Sequence, residues 1–151
     1  MKTSMLIYED TPKYDLWLKL ILVGVLALTF ILGVIFIYRD TEAAMAMFGI
    51  TVFDTLLFKA ILPRRFQIFE DRLKILLGGP FSINIPFSNI VEVKPASSRK
   101  VFAYWGNRFA TSTSNVVEIV RKKGLGLIIS PRNYDMFLEQ LNQARQLQSS
   151  H

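Results

Sequence analysis

The sequence predicts a membrane-anchored α+β protein, in which a hairpin of two transmembrane helices precedes one β-rich domain. Two long apolar runs, at residues 16–38 and 43–62, predict the hairpin. After Pro63 the pattern changes to short runs of alternating apolar and polar residues, which predict six or seven strands of a strongly bent antiparallel sheet. A helical apolar stripe near the C-terminus predicts one helix that closes the open end of this sheet.

Each apolar run is long enough to cross a bilayer. Residues 16–38 contain a single charge, Lys19, and a helix rises about 1.5 Å per residue, so this run crosses a hydrocarbon core of about 30 Å. The second run, residues 43–62, is interrupted by Asp54 and Lys59 and stops at a proline. A cleaved signal peptide is the alternative for the first run, but its apolar core would be about 7–15 residues long.

The distribution of basic residues predicts the orientation of the hairpin. Residues 39–42 join the two helices, so both chain ends lie on one side of the membrane. That side carries Lys13, Lys19, Lys59, Arg64 and Arg65, whereas the connection carries only Arg39. The positive-inside rule then places both termini in the cytoplasm of a multi-pass protein of the cell (plasma or inner) membrane. The expected organisation is a cytosolic segment at 1–15, the hairpin at 16–62, a cytosolic domain at 63–148 and a frayed tail at 149–151.

An acidic residue interrupts the second helix. Asp54 lies about 12 Å from the cytosolic end, where an ionised carboxylate costs about 2.5–3.5 kcal/mol. Lys59 is five positions away, a spacing that puts the two side chains on different helix faces. Two interpretations stay open. Either Asp54 is protonated, or bonded to Lys19 or a threonine of the hairpin, or it contacts another transmembrane subunit.

The strands of the domain are predicted from alternation and from turn residues between the runs. The predicted strands are 66–69, 73–77, 81–85, 90–94, 101–105, 116–120 and 125–129, with a basic tip between the last two. Ser130 and Pro131 are typical of a helix start, with an N-cap residue followed by proline. The apolar stripe of that helix consists of Tyr134, Phe137, Leu138, Leu141, Ala144 and Leu147.

The order and spacing of several short motifs carry a family resemblance. They are RFQIFEDRLKI at 65–75, IPFSNI at 85–90 with VEV at 91–93, NVVEI at 115–119, Gly124, IISP at 128–131 and Phe137-Leu138. Over residues 64–141 the chain resembles the bacterial pleckstrin-homology-like (PH-like) domains, many of which carry a similar transmembrane hairpin. The resemblance implies a bent sheet, or partly open barrel, of about seven strands capped by a C-terminal helix. Arg72 and Lys74 match the phosphoinositide signature of eukaryotic PH domains only loosely, so specific phosphoinositide binding is not implied.

The C-terminal part of the chain is basic. Residues 63–151 contain thirteen basic and six acidic residues, a net charge of +7, which beside a membrane favours anionic lipid headgroups over nucleic acid. The candidate lipid- or partner-binding residues are Arg64, Arg65, Arg99, Lys100, Arg108, Arg121, Lys122 and Lys123. The alternative is an ordinary solvated surface, with Arg64 and Arg65 serving as topology signals. The aromatic run at 101–105 is typical of a core strand, or of an interfacial or single-stranded nucleic-acid surface.

The sequence holds no pattern typical of catalysis. There is no cysteine, and the single histidine is the last residue, His151. The carboxylates occur singly, so we predict no enzyme, no metal and no cofactor. We expect an adaptor that binds a protein partner or anionic lipid at the cytosolic membrane face, and we do not expect nucleic acid as its partner. The alternative is a structural or assembly subunit of a larger membrane complex, and a homo-oligomer is compatible with both.

Overall fold

The computed structural model describes residues 4–97 and 106–149. In chain order these residues form β1 (Leu6–Asp10), α1 (Leu16–Phe36), α2 (Thr41–Ile61), β2 (Pro63–Phe69), β3 (Arg72–Leu77), β4 (Ser82–Pro86), a 3₁₀ turn (Phe87–Asn89), β5 (Ile90–Ala96), β6 (Asn107–Phe109), β7 (Val116–Arg121), β8 (Leu127–Ile129) and α3 (Tyr134–Ser149). The predicted fold class is confirmed, because two long apolar helices precede two open sheets and a C-terminal helix.

Helices α1 and α2 form an antiparallel hairpin. They pack closely at Gly33, where an added Cβ would lie 2.9 Å from the ring of Phe48. The Thr51 hydroxyl donates across the seam to the Thr29 hydroxyl, at 2.9 Å. The Asp40 carboxylate caps α2 by accepting from two backbone N–H groups of its first turn. Both helices are long and apolar enough to span a membrane, and in each only 6% of the most apolar stretch is buried, unlike the core helix of a soluble protein.

The strands form two sheets of four. The first has the order β1-β2-β3-β4 and is antiparallel throughout. The second has the order β5-β7-β8-β6, and its edge strand β6 runs parallel to β8. Side chains alternate with the same period in parallel and antiparallel strands, so the sequence pattern does not reveal this pairing. The observed β2 begins three residues before the predicted strand at 66–69, and the other predicted strands lie within two residues of the observed ones, while the run at 101–105 lies outside the described residues.

The first strand precedes the helical hairpin in the chain. Strand β1 pairs with β2 from Leu6 opposite Phe69 to Asp10 opposite Phe66. The hairpin is therefore inserted between two neighbouring strands of one sheet. Sequence reasoning assigned no structure to residues 1–15, and so did not anticipate that part of them completes the sheet.

The core lies between the two sheets and α3. Its fully buried residues include Phe66, Ile75, Ile119 and Phe137, and the two phenylalanine rings meet edge to face at 6.1 Å. Burying one such side chain stabilises the fold by about 1.5–3 kcal/mol. Most of the predicted helical stripe packs here, but its last member, Leu147, is 65% exposed.

The predicted start of the last helix is wrong. Helix α3 begins at Tyr134, and the backbone N–H of Phe137 bonds to the carbonyl of Asn133. The Ser130 hydroxyl is buried and accepts instead from the backbone of the loop at 111–112. Pro131 forms a β-bridge with Pro12, so both residues of the expected start signal are held in extended chain.

The domain has two ends that differ in their distance from the hairpin. The hairpin-proximal end holds the start of β2, the turn at 78–81 and the loop at 111–115, which contact the ends of α1 and α2. The distal end holds the turn at 70–72, the 3₁₀ turn and the tip at 121–124. Strand β3 joins the two ends and is about 17 Å long at about 3.4 Å per residue.

The turn at 78–81 packs directly on the last turn of α2. The Gly78 N–H donates to the Leu62 carbonyl at 2.9 Å, and a Cβ on Gly78 would lie 1.6 Å from the Lys59 carbonyl oxygen. A Cβ on Gly79 would meet its nearest atom at 3.4 Å, an ordinary contact.

We therefore expect Gly78→Ala to force the domain away from α2. The overlap involves backbone rather than a flexible side chain, so the loss of unfolding free energy should reach about 3 kcal/mol, the upper range for overpacking. Thermal unfolding in detergent measures it, with Gly79→Ala as the matched control. Equal unfolding temperatures for the two variants would contradict this packing.

Candidate functional site

The N-terminal residues tie the domain to the first helix. We call residues 4–15 the strap. At the distal end the Met5 carbonyl accepts from the Glu70 N–H at 3.2 Å. At the proximal end the Lys13 N–H donates to the Ser130 carbonyl at 2.9 Å, and the Thr111 hydroxyl donates to the Lys13 carbonyl at 2.6 Å. The strap therefore touches both sheets before the chain enters α1.

Asp15 is the last residue of the strap and precedes the first turn of α1. Its carboxylate accepts from the Ser112 hydroxyl at 2.6 Å, and from the N–H and hydroxyl of Thr113 at 2.8 and 3.0 Å. Burial raises the pKa of Asp15, but the hydrogen bonds from Ser112 and Thr113 outweigh it and hold the pKa below its ordinary value of 3.8. The charged carboxylate thus fastens the loop at 111–115 to the start of the helix.

A cleft of about 690 Å³ lies where the strap, α1 and β2 meet. We call it the junction cleft. Four of its lining residues are basic, namely Lys13, Lys19, Arg64 and Arg132, and none of the described residues that line it is acidic. Its walls also include Tyr14, whose hydroxyl donates to the Pro63 carbonyl at 2.5 Å. Burial raises the pKa of Tyr14, and the Arg64 guanidinium opposes this shift.

The acidic residues of the strap are engaged elsewhere. Glu9 forms an ion pair with Arg65 at 2.9 Å and accepts from Gln67. The buried Asp10 carboxylate accepts from the Asn133 N–H at 2.8 Å. Asp15 is bonded to the loop at 111–115. The four cations of the cleft therefore have no carboxylate in ion-pair contact among the residues described.

A β-bulge sets the direction of the Arg64 side chain. In the pairing of β2 with β3, Pro63 lies opposite Leu77 and Arg65 lies opposite Leu76, so Arg64 is the extra residue. A bulge redirects the side chain at the extra position. Arg64 consequently lines the cleft, while Arg65 pairs with Glu9 on β1.

Comparison with known protein families agrees with this architecture. The sequence profile described as Bacterial PH domain matches residues 64–145, more than half of the chain. The chain belongs to the bacterial PH domain family. No curated protein and no solved structure matches the chain significantly. The family match begins at β2, so strand β1 and the hairpin lie outside it.

The predicted basic residues that the structure describes do not lie on one surface of the PH domain. Arg64 and Arg65 lie at the proximal end and are exposed, and Arg108 is exposed on the edge strand β6. At the distal tip Lys122 and Lys123 are exposed, while the Arg121 guanidinium folds back to donate to the Leu125 carbonyl at 2.6 Å. Arg99 and Lys100 lie outside the described residues.

The distal tip is fixed in place by one asparagine. The Asn89 carbonyl accepts from the Lys122 N–H, and its side-chain oxygen accepts from the Lys123 N–H, both at 2.8 Å. Gly124 closes the tip with a φ of 85°, a left-handed conformation that glycine adopts without strain. The tip therefore presents two lysines at the end of the PH domain that is farther from the hairpin.

Three cleft residues were missed as binding residues by sequence reasoning. The sequence indicates Lys13 and Lys19 only as topology signals and indicates no role for Arg132. No local pattern joins them, because residues 13, 19, 64 and 132 are far apart in sequence and the fold alone brings them to one cleft.

Asp54 is half-buried in the isolated chain, one helical turn from Thr51 along α2. The Thr51 hydroxyl is bonded to Met47 and Thr29, and the Thr55 hydroxyl donates to the Thr51 carbonyl. No described residue, Lys19 included, makes a hydrogen bond or ion pair of normal length with the Asp54 carboxylate. Nor does the described part of the chain bring three acidic or histidine side chains close enough to hold a metal ion.

We expect Asp15→Asn to destabilise the junction in a pH-dependent way. Because the pKa of Asp15 is depressed in the folded protein, its stabilisation is full above the ordinary value of 3.8 and is lost as the pH falls through the folded-state pKa. The variant should lose about 1 kcal/mol at pH 7, a value reduced by solvent screening, and the difference should shrink towards pH 2.

The measurement is the unfolding temperature of both proteins between pH 2 and pH 7. Glu139→Gln is the control, since that exposed carboxylate accepts from Gln143 within α3. Curves for Asp15→Asn and the unmodified protein that stay parallel over the whole range would show that the charge of Asp15 is not involved.

Proposed function

We propose that this protein is a membrane-anchored adaptor, in which the hairpin holds the PH domain at the cytosolic membrane face to bind a protein partner or anionic lipid. The observation that carries the proposal is the rigid junction between domain and hairpin. Three contacts form this junction: the pairing of β1 with β2, the hydrogen bonds of the Asp15 carboxylate, and the packing of Gly78 on α2. A domain tied this way keeps one orientation towards the bilayer.

A fixed orientation favours binding at a membrane surface. A domain on a flexible linker loses rotational freedom when it binds, whereas a domain already held in the bound orientation loses little. The hairpin also confines the domain to the surface, which raises its effective concentration towards other membrane-bound molecules. Both effects increase the affinity for a ligand or partner at the membrane without adding contacts.

The proposed topology puts both termini in the cytoplasm. The side of the hairpin that carries the PH domain also carries Lys13, Lys19, Lys59 and Arg64, as the positive-inside rule requires. Strand β1 supports retention of α1 in the mature protein, because cleavage after α1 would remove β1 from the sheet.

The two ends of the PH domain suit different ligands. The junction cleft lies beside the hairpin, within reach of lipid headgroups. The tip with Lys122 and Lys123 lies about 17 Å further out, beyond the screening length of about 8 Å at physiological salt, and suits an acidic surface on a protein partner. We propose no catalytic step for either end.

A subunit of a larger membrane complex is the second candidate function. The observation that favours it is Asp54, a carboxylate inside α2 without a polar partner among the described residues. A side chain from another transmembrane helix would supply one, at a lower cost than leaving the charge unpaired.

Cysteine labelling tests the proposed topology. The chain has no cysteine, so single variants Lys122→Cys and Tyr38→Cys each carry one reactive thiol at an exposed position. In intact cells a membrane-impermeant maleimide should label Tyr38→Cys, and should label Lys122→Cys only after permeabilisation. The opposite pattern would overturn the cytosolic placement.

Purification in mild detergent distinguishes the two functions. For an adaptor, Asp54→Leu should fold as well as the unmodified protein or better, and should keep the same co-purifying molecules by mass spectrometry. Thr55→Leu is the matched control, a neighbouring polar residue that is exposed on α2. Loss of a stoichiometric set of membrane proteins in Asp54→Leu, but not in Thr55→Leu, would favour the complex subunit.

A further inference from the structure

We propose that the junction cleft binds the phosphate of one anionic phospholipid headgroup, with the acyl chains lying along the helical hairpin. The inference rests on the proposed function in that it takes the PH domain to lie at the membrane face. It assigns the lipid to a site built from Lys13, Lys19, Arg64 and Arg132, rather than to the basic tip of the domain.

Charge is the first argument. Four cationic side chains line one cleft without an acidic lining residue among those described. The acids of the nearby strap are held by other partners, namely Glu9 by Arg65 and Asp10 by Asn133. A phosphodiester would supply the missing negative charge and accept several hydrogen bonds from guanidinium and ammonium groups.

Depth is the second argument. Lys19 lies in the first turn of α1, about 4.5 Å along the helix from its first residue, Leu16. The headgroup layer on each side of a bilayer is about 5–8 Å thick, so the Lys19 ammonium lies at headgroup level when α1 crosses the membrane. Trp17 is 40% exposed at the same level, the usual position of an interfacial tryptophan.

Shape is the third argument. A volume of about 690 Å³ lies within the usual range of ligand pockets and accommodates a phospholipid headgroup. Pro12, Tyr14 and Pro63 give the cleft rigid walls, and the hydrogen bond from Tyr14 to the Pro63 carbonyl fixes two of them. The tip lysines, in contrast, are exposed on a turn that hydrogen bonds to Asn89 hold in place, rather than set in the walls of a cleft.

The test is a titration of delipidated full-length protein in uncharged detergent with phosphatidylglycerol, followed by native mass spectrometry. The double variant Arg64→Gln with Arg132→Gln should bind this lipid about twenty-five-fold more weakly, because each cation near the headgroups contributes about fivefold. Neither guanidinium has a side-chain hydrogen bond or ion pair of normal length to another described residue, so the variant should unfold at an unchanged temperature.

The matched control is Lys122→Gln with Lys123→Gln, which removes the same charge from the distal tip and should keep full affinity. Lys19→Gln alone should weaken binding about fivefold. Equal losses in the two double variants would overturn the proposal, as would equal affinity for phosphatidylcholine.

Inorganic phosphate distinguishes the source of the ligand. If free phosphate displaces the lipid at equal concentration, the cleft is a phosphate-ion site and the lipid proposal fails. The titration needs no partner protein, so its result is independent of whether the adaptor proposal holds. Loss of lipid binding in the Arg64 and Arg132 variant, with resistance to free phosphate, supports the cleft as a lipid site.

Discussion

The structure depends on the pairing of β1 with β2 across the inserted helical hairpin. Asp10 and Phe66 lie opposite each other in the sheet, although the whole hairpin separates them in sequence. Neighbouring strands are about 4.8 Å apart, whereas packed helices are about 8–10 Å apart. The two segments that connect the strands to the helices must therefore move apart. Residues 11–15 span that difference. They run extended past the second sheet before α1 begins, and this detour brings their polar groups to Thr111, Ser130 and Arg132.

This constraint explains why tightly bonded polar groups concentrate at the junction. A chain that entered the membrane from a flexible linker would not require the Asp15 carboxylate to hold the loop at 111–115, nor a glycine at position 78 against the end of α2. The seam of the hairpin, in contrast, contains Gly33 against the ring of Phe48 and the hydrogen bond between Thr51 and Thr29. Orientation of the PH domain is therefore set by the contacts at the ends of the helices.

Local patterns in the sequence predict the secondary-structure elements. They do not predict the contacts between residues that are distant in the sequence. The helices, the β2–β3 hairpin and the buried stripe of Phe137 and Leu141 follow from periodicity, because each depends on neighbours within one element. Strand β1 does not, since its partner follows two long helices and its outer face is exposed. The same holds for Ser130. Its hydroxyl has the chemistry of an N-cap, but the N–H groups that it accepts from belong to Thr111 and Ser112 rather than to the helix that follows.

The two adjacent arginines at the start of β2 show why clusters of charge in a sequence do not define a surface. Arg64 and Arg65 are neighbours in the chain, yet a bulge sends the first into the junction cleft and the second to Glu9. The tip holds three consecutive basic residues, but one of them is bonded to the Leu125 carbonyl and all three lie at the distal end. The potential of an anionic leaflet falls off within about 8–10 Å at physiological salt, so in the proposed lipid site the distance of a cation from the hairpin matters more than the number of basic residues in a segment. The cleft, assembled from four separate parts of the chain, lies beside the hairpin, whereas the most basic segment of the domain lies at the distal end.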